Sequence, residues 1–225
     1  MAVKYQLSQS ELEYLIALGN EGSGEEKQPE EQQMAASQES LIEKGYIQEG
    51  EDRKILVQAP LVSLLRSVFT CEAVLFAVGT QKDGKKQIFC FYFNRSRIYF
   101  AEQRQEGLYD LFEIPSLSLA AGMLANRIEI REEASKNVTQ ISLDQDMKEF
   151  GLEIDPDQIE KQWVLMGESR TNKKKRCMFL IVESADIQNM MELKEGNIIF
   201  SNPGKVDFIN ACLDWMREGD RNGNV

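Results

Sequence analysis

Apolar residues recur at helical spacing in two segments near the start of the chain. The stretch Ser8–Glu11 has the form of a capping box, in which a serine hydroxyl and a glutamate carboxylate each accept a hydrogen bond from the other residue's backbone N–H. The apolar pattern that follows predicts an amphipathic helix ending at Gly19. The polar stretch Asn20–Gln33 predicts a mobile loop. A second helix is predicted from about Met34 to Lys44, closed by Gly45.

Two short extended pieces, Tyr46-Ile47 and Ile55–Val57, follow the second helix. A helix, a loop, a helix and a short hairpin also form the outline of a winged helix, which would suggest DNA binding. However, residues 35–44 contain one lysine, two glutamates and no arginine, whereas a helix that reads a DNA groove needs cations. A regulatory or nucleic-acid adaptor that acts through this winged-helix-like N-terminus is therefore the weaker alternative.

The pattern in the middle of the chain predicts a helix, then three antiparallel strands, then two further helices. The predicted elements are a helix opened by Pro60, strands at Cys71–Val78, Ile88–Phe93 and Arg97–Ala101, and helices at about Gly107–Phe112 and Ser116–Ala125. The first two strands are joined by the hairpin loop Gln81–Lys86, which has Asp83-Gly84 at its tip. Because this loop projects from a rigid sheet, it is a candidate contact for a partner, although an ordinary solvent-exposed loop is the commoner case.

The last third of the chain repeats this order. Its predicted elements are a helix from Asp155-Pro156 through Ile159, Trp163 and Met166 to Gly167, strands at Cys177–Glu183, Gln188–Leu193 and Ile198–Phe200, and a final helix after Asn202-Pro203. The segment Glu132–Thr139 is predicted to link the halves, with Ile141–Phe150 as a short extra element. We therefore predict an α+β fold with two quasi-repeated halves, each an antiparallel three-stranded sheet flanked by helices, and an N-terminal helical element. The predicted division is residues 1–58, 59–131 and 132–225, within one compact body.

The net negative charge of the chain argues against nucleic acids and anionic membranes as partners. Of the 225 residues, 42% are hydrophobic, which is enough for a sizeable core, and the formal net charge is −11. Such an acidic chain repels phosphate backbones and anionic membranes, so nucleic acid is not the expected partner. The one dense basic run, Arg170–Arg176, is interpreted as a solvated loop, with an anionic partner patch or an RNA contact as alternatives. No apolar run approaches the roughly 18 residues that span a bilayer, so no integral membrane segment is expected.

Candidate chemistry is sparse. The chain has no histidine, which removes the commonest general base and metal ligand. The four cysteines, Cys71, Cys90, Cys177 and Cys212, form no CxxC pair and are interpreted as small core residues. With no signal-peptide pattern at the N-terminus, a reducing, cytoplasmic setting is expected. We therefore expect no cofactor, no metal and no enzymatic activity, with a carboxylate-dependent metal hydrolase as a further alternative.

Three other patterns favour structural roles over chemistry. Paired carboxylates occur at Glu25/Glu26, Glu30/Glu31, Asp144/Asp146 and Asp155/Asp157. They are interpreted as a solvated loop and as helix caps. Gly19, Gly22 and Gly24 form a GxxGxG pattern, but it follows a helix, whereas a phosphate-binding loop follows a strand. Trp163 and Trp215 have apolar neighbours and are predicted core residues, with an interface anchor as the alternative.

The order of these elements is similar to that of a known family. The matching features are the capped first helix, the helix ending in Leu41–Ile47, the helix Pro60–Phe69, a hairpin, Ile98-Tyr99-Phe100, the helix Ser116–Ala125, and the final helix Phe208–Met216 after Asn202-Pro203. This order resembles the EspG family, the cytosolic chaperones of type VII secretion, and its relatives in Gram-positive bacteria. The resemblance implies an α+β protein with two quasi-equivalent halves that holds a secreted helical substrate before export. It assigns no binding residue in this chain.

The leading hypothesis is therefore a cytosolic chaperone or adaptor, associated with type VII secretion, whose client is a small helical secreted protein. It would cover an apolar helical face of the client, keep the client soluble and deliver it to a membrane machine. An exposed apolar patch on the sheets is expected for such a role. The sequence does not locate that patch, and a dimer is an open alternative to a monomer.

Overall fold

The computed structural model describes residues 4–19, 31–51, 54–94, 97–133, 135–142, 158–170, 176–184, 187–194 and 197–221. In this part of the chain, five helices and twelve strands form the predicted α+β architecture. In chain order the elements are β1 (Lys4–Ser8), α1 (Gln9–Gly19), α2 (Glu31–Glu43), β2 (Ile47–Glu49), β3 (Ile55–Val57), α3 (Ala59–Phe69), β4 (Ala73–Gln81), β5 (Lys86–Asn94), β6 (Arg97–Gln105), β7 (Leu108–Ile114), α4 (Leu117–Ile128), β8 (Ser135–Ser142), β9 (Lys161–Ser169), β10 (Arg176–Glu183), β11 (Gln188–Lys194), β12 (Asn197–Asn202) and α5 (Lys205–Arg221). Two compact units are present, Met1–Thr70 with Tyr99–Glu113, and Cys71–Ile98 with Ile114–Val225.

A buried carboxylate organises the helices of the first unit. The predicted capping box is confirmed, because Ser8 N donates to Glu11 Oε2 (2.6 Å) and Glu11 N donates to Ser8 Oγ (3.1 Å). The buried Glu11 carboxylate also accepts hydrogen bonds from Lys44 Nζ (2.7 and 2.8 Å) and Ser40 Oγ (2.7 Å). Ser40 belongs to α2 and Lys44 follows that helix. The Glu11 side chain therefore caps α1 and also links α1 to α2 by hydrogen bonds.

The end of α2 is closed as predicted. Gly45 has φ 69°, a left-handed conformation that glycine adopts without steric cost. Gly45 N donates to Ile42 O (2.8 Å) and Tyr46 N to Leu41 O (2.9 Å), so the last carbonyls of the helix are satisfied. The predicted extended pieces then pair as the antiparallel hairpin β2–β3.

The helix predicted at Gly107–Phe112 is wrong, because residues 108–114 form β7. This strand pairs antiparallel with β1. Its buried Asp110 forms ion pairs with Lys4 on β1 (2.8 Å) and with Arg104 on β6. An apolar run this short cannot be assigned to strand or helix from its spacing alone. Pairing with β1, which is distant in the chain, makes this segment a strand.

A seven-stranded antiparallel sheet forms the centre of the second unit. Its strand order is β5-β4-β9-β10-β11-β12-β8. The central pair is β4 with β9, in which Ala77 lies opposite Leu165. The strands predicted at 177–183, 188–193 and 198–200 are confirmed, as is the final helix.

The predicted helix from Asp155 to Gly167 is wrong. Residues 155–157 lie outside the described residues, and Lys161–Ser169 form β9. Burial alternates along this strand, with Trp163 buried and Met166 exposed. Apolar residues occupy both sides of the strand, which gives a continuous apolar run that resembles a buried helix.

The predicted linker Glu132–Thr139 is also partly wrong, because residues 135–142 form β8 and pair with β12. The rest of the predicted element Ile141–Phe150 lies outside the described residues. In the described residues, four strands, β4 to β7, lie between α3 and α4, and five strands, β8 to β12, lie between α4 and α5. The predicted number of three strands in each half is therefore too low.

Helix α5 packs on one side of the seven-stranded sheet, here called the inner face. Phe208 of α5 lies against Phe179 of β10, with ring centroids 6.3 Å apart, and Trp215 lies 6.0 Å from Phe93 of β5. Gly167 of β9 makes room for the second contact, since a Cβ atom there would come within 2.5 Å of the Trp215 indole. Side chains that alternate with these along the strands point to the opposite side, the outer face.

Candidate functional site

The outer face carries two adjacent rows of apolar side chains. Residues directly opposite each other in antiparallel strands point to the same side of the sheet, so the strand register defines the rows. The first row consists of Cys90, Phe76, Met166, Met178 and Leu193. The second row consists of Ile88, Val78, Val164, Leu180 and Met191. Each row crosses β5, β4, β9, β10 and β11 in that order, and the ten residues together are called the outer apolar face.

The first row opens to solvent at three neighbouring positions. Met166, Met178 and Leu193 are 46%, 42% and 39% exposed, and the other seven residues of the face are half-buried. Single exposed apolar residues are normal on protein surfaces. These three, however, lie side by side on adjacent strands within a continuous apolar face. A contiguous exposed apolar patch is typical of an interaction site.

Polar residues border part of the outer apolar face at both ends of the strands. Beyond the first row, Glu168 and Arg176 lie opposite each other and form an exposed ion pair, with Nη2 and Oε1 2.8 Å apart. Beyond the second row lie Lys86, Thr80 and Gln162. An exposed ion pair contributes only about 0.2–1 kcal/mol to stability. Val74 and Tyr92 at the first border and Val182 at the second lie among these polar residues, so the borders are mixed in character.

Cysteine and tyrosine side chains add no charge to this surface near neutral pH. Burial raises the pKa of Cys90 to about 11 and holds the pKa of Tyr92 above its ordinary value. Burial likewise raises the pKa of Cys71 and of Cys212. The four cysteines are free thiols, and a protonated thiol is a poor nucleophile and a poor metal ligand. Cys71, Cys177 and Cys212 are buried, as a role as small core residues predicts.

The hairpin loop Gln81–Lys86 lies at the second-row end of β4 and β5. Gln81 N donates to Lys85 O and Gly84 N donates to Gln81 O, both at 2.9 Å. Asp83 and Lys85 are exposed and form an ion pair of 2.8 Å. The loop is thus ordered by its own hydrogen bonds beside the outer apolar face, and its contact with a partner stays a prediction.

Within the described ranges, no group of three or more Cys, Asp or Glu side chains is placed to hold a metal ion. Several predicted features lie outside those ranges: Glu25, Glu26, Glu30, Asp144, Asp146, Asp155, Asp157, Gly22, Gly24 and residues 171–175 of the basic run. Of the ends of that run, Arg176 pairs with Glu168, and Arg170 N donates to Glu72 O (2.7 Å).

The winged-helix-like segment has little positive charge to offer a nucleic acid. Helix α2 contains neither lysine nor arginine. The ammonium group of Lys44, which follows it, is bonded to Glu11. Since contacts with DNA phosphates depend on lysine and arginine, these residues disfavour DNA binding through α2.

The predicted core role of Trp163 is confirmed, because it is buried on the inner face with its ring 5.3 Å from Phe89. Trp215 is half-buried on the same face. Met166, predicted on a helix, and Met178, predicted within a strand, are the functional candidates that sequence reasoning did not bring together. No local pattern finds Met166, because apolar residues occupy both sides of Lys161–Ser169 and mask the period-two alternation of the strand.

None of the helices in the described ranges combines the length and the apolar character needed to cross a bilayer. No protein-family model matches the chain, and no curated protein matches it. Among solved structures, the chain is similar to the type VII secretion system chaperone EspG5 of Mycobacterium tuberculosis, solved in complex with the PE25–PPE41 dimer. The TM-score is 0.66 over 96% of both chains, with 8% sequence identity. The resemblance predicted from the order of elements is therefore confirmed at the level of the fold, and this chain has an EspG-like fold.

Proposed function

We propose that this protein is a cytoplasmic, non-enzymatic chaperone or adaptor that binds a helical segment of a small secreted protein through the outer apolar face. The observation that carries the proposal is the run of exposed apolar side chains at Met166, Met178 and Leu193, inside a ten-residue apolar face. An exposed apolar patch of this kind typically marks a surface that a binding partner covers.

The dimensions of the face favour a helix as the bound segment. Five neighbouring strands, spaced about 4.8 Å apart, span roughly 19 Å from the first to the last. An α-helix covers that length with about 13 residues, because it rises 1.5 Å per residue. The two rows lie about 7 Å apart along the strands, and a helix with its side chains is about 10 Å wide. An amphipathic helix laid across the strands would therefore contact both rows.

The fold supports a protein as the client. EspG5, which shares this fold, was solved with a bound PE25–PPE41 dimer. We infer that this chain binds a secreted protein of comparable kind, in connection with type VII secretion. The formal charge of −11 keeps the chaperone itself soluble while the apolar face is empty. A monomer suffices for this function, because the whole face belongs to one chain.

The internal duplication predicted from the sequence fits this function. We infer that the two runs of strands, each followed by a helix, arose by duplication. The antiparallel pairing of β4 in the first run with β9 in the second then joins the repeats into one broad surface. A single repeat would provide only part of each apolar row.

The proposal is tested by recovering the client from the native host. Tagged wild-type protein, the Met178→Glu variant and the Val206→Glu variant are each used as bait, at moderate salt, with mass spectrometry of the bound proteins. Val206 is a matched control, because it is apolar and 66% exposed but lies on α5. We expect wild type and Val206→Glu to retain the same secreted helical protein, and Met178→Glu to lose about 90% of it, since a buried unpaired charge costs several kcal/mol. Recovery of the bait alone, or equal retention by both variants, would reject the proposal.

A further inference from the structure

Two methionines form the exposed centre of the outer apolar face. Met166 and Met178 lie directly opposite each other on β9 and β10, and both are exposed. The methionines whose side-chain burial the structure describes are Met34, Met123, Met166, Met178, Met190, Met191 and Met216. Of these seven, Met190 and Met216 are buried and Met34, Met123 and Met191 are half-buried. The two most accessible thioethers of this set are thus adjacent and lie within the proposed binding surface.

We propose that Met166 and Met178 are a modification site for hydroperoxides, and that their oxidation to methionine sulfoxide switches off binding at the outer apolar face. The modification follows from exposure and chemistry, whereas its effect on the client rests on the proposed function. The oxidant is hydrogen peroxide or an alkyl hydroperoxide.

The reaction is a two-electron oxygen transfer. A lone pair on the thioether sulfur attacks one peroxide oxygen, an S–O bond forms and the O–O bond breaks. The leaving hydroxide takes the proton from the transferred oxygen and departs as water, or an alkoxide departs as the alcohol. Sulfur is oxidised, peroxide is reduced, and no other co-reactant is needed. Methionine sulfoxide reductases reverse the modification with electrons from thiols.

Oxidation changes the surface where its apolar character matters most. A sulfoxide is polar and a strong hydrogen-bond acceptor, whereas the thioether is apolar and adapts its shape to a partner. The two modified side chains would stand side by side in the first row, beside Phe76 and Leu193. A bound apolar helix cannot satisfy these oxygens, so each buried sulfoxide opposes binding.

The position of these methionines predicts that oxidation is selective. Met190 and Met216 are shielded within the protein, and Met190 lies on the strand next to Met178. Reaction with peroxide depends on access to the sulfur. Met166 and Met178 therefore react before the fold is damaged, which leaves a folded protein with an altered surface.

The site is tested first without any client. The full-length protein is treated with dilute hydrogen peroxide, samples are quenched over time, and oxidised peptides are quantified by mass spectrometry. We expect Met166 and Met178 to oxidise at least about tenfold faster than Met190 and Met216, while the circular dichroism spectrum is unchanged. Equal rates at the four positions would refute the modification site.

The effect on binding is measured with the secreted protein recovered by wild-type bait. For each form of the chaperone, affinity after peroxide is divided by affinity before it. We expect the ratio to fall about tenfold or more for wild type, to stay within about twofold of one for the double variant M166L/M178L, and to return towards one after sulfoxide reductase treatment. A wild-type ratio near one after complete oxidation of both residues would overturn the switch, as would an equal loss in the double variant.

A fluorescent apolar dye, 8-anilinonaphthalene-1-sulfonate, separates this inference from the proposed function. If no client is recovered from the host, the proposed function fails, but the dye still reports the apolar character of the face. We expect dye fluorescence to fall on oxidation of wild type and to be unchanged for M166L/M178L. Unchanged wild-type fluorescence after full oxidation of both methionines would overturn the inference on its own.

Discussion

Gly79 on β4 lies directly opposite Trp163 on β9, and a Cβ atom at this glycine would come within 2.7 Å of the indole ring. The ring is buried and also packs against Phe89, with centroids 5.3 Å apart. Trp163 therefore occupies the space that any other residue at position 79 would need. The absence of a side chain at position 79 therefore lets the indole pack against the central strand pair of the second unit.

The variant Gly79→Ala should lower the free energy of unfolding by about 1–3 kcal/mol, because overpacking forces the buried indole or the strands to shift. Urea denaturation followed by tryptophan fluorescence measures this change. The matched control is Gly122→Ala in α4, where an added Cβ meets no atom within 4 Å. That change should stabilise the helix by up to about 1 kcal/mol. If Gly79→Ala unfolds at the wild-type midpoint, the close packing is not as described.

Glu11 should make the stability of the first unit depend on pH. Burial alone raises the pKa of Glu11, but hydrogen bonds from Lys44, Ser8 and Ser40 outweigh it and hold the pKa below its ordinary value. The stabilisation is therefore fully present above the ordinary pKa of glutamate, and is lost as pH falls through the lowered value of the folded state.

The variant Glu11→Gln should accordingly lose about 1–3 kcal/mol at neutral pH, since it leaves Lys44 without its carboxylate partner. The difference between wild type and variant should shrink as pH falls through the lowered pKa of folded Glu11, because the protonated carboxyl is then neutral like the glutamine amide. Urea denaturation at neutral pH and at an acidic pH below that pKa measures it. The matched control is Glu13→Gln on the same helix, where Glu13 accepts an exposed hydrogen bond from Gln9. This change should alter the free energy of unfolding by less than about 0.5 kcal/mol. An equal loss for Glu11→Gln at both pH values would contradict the role of its charge.

Cys90 should react slowly with alkylating reagents in the folded protein. With a pKa of about 11, roughly one molecule in a thousand carries the thiolate at about pH 8, compared with about a quarter for an ordinary cysteine. Iodoacetamide labelling, read by peptide mass spectrometry, should be about a hundredfold slower in the native state than in urea. Equal native and denatured rates would show that the thiol is not held protonated.

Client binding should depend little on salt, because the outer apolar face carries no charge in its two rows. Affinity measured at about 50 and 500 mM NaCl should differ by less than about threefold. If the contact is made instead by Lys82 and Lys85 of the hairpin loop, or by the basic run, affinity should fall about tenfold or more over this range. The double variant Lys82→Ala/Lys85→Ala distinguishes the loop, since its affinity should equal that of wild type if the face alone binds.

Local signals predicted much of the fold. Three of these signals each act within one turn of helix: the capping box at Ser8–Glu11, the glycine at position 45 and the proline at position 60. Because they are local, the sequence alone reveals them, and the structure agrees with each one. The errors are segments whose assignment depends on distant partners. Lys161–Ser169 is apolar on both faces, so its alternation is masked.

The candidate site was beyond prediction from the sequence for the same reason. Met166 and Met178 are close in the chain, but Phe76 and Cys90 join their row only through the register of β4 with β5 and β9. A shift of one residue in that register would turn every one of these side chains to the other face. The register depends on contacts such as Gly79 with Trp163, which no local pattern reveals.

The pairing of β4 with β9 also sets when the binding surface can exist during synthesis. Ala77 and Leu165 face each other although they are about 90 residues apart in the chain, and contacts this distant form late and slowly. While the chain is emerging from the ribosome, β4 and β5 are synthesised before β9, the strand that pairs with β4. A nascent chain that ends before β9 thus has two of the five residues of each apolar row and offers no surface across five strands. If the face binds a client as proposed, the folding time of this sheet is the earliest limit on when that binding can begin.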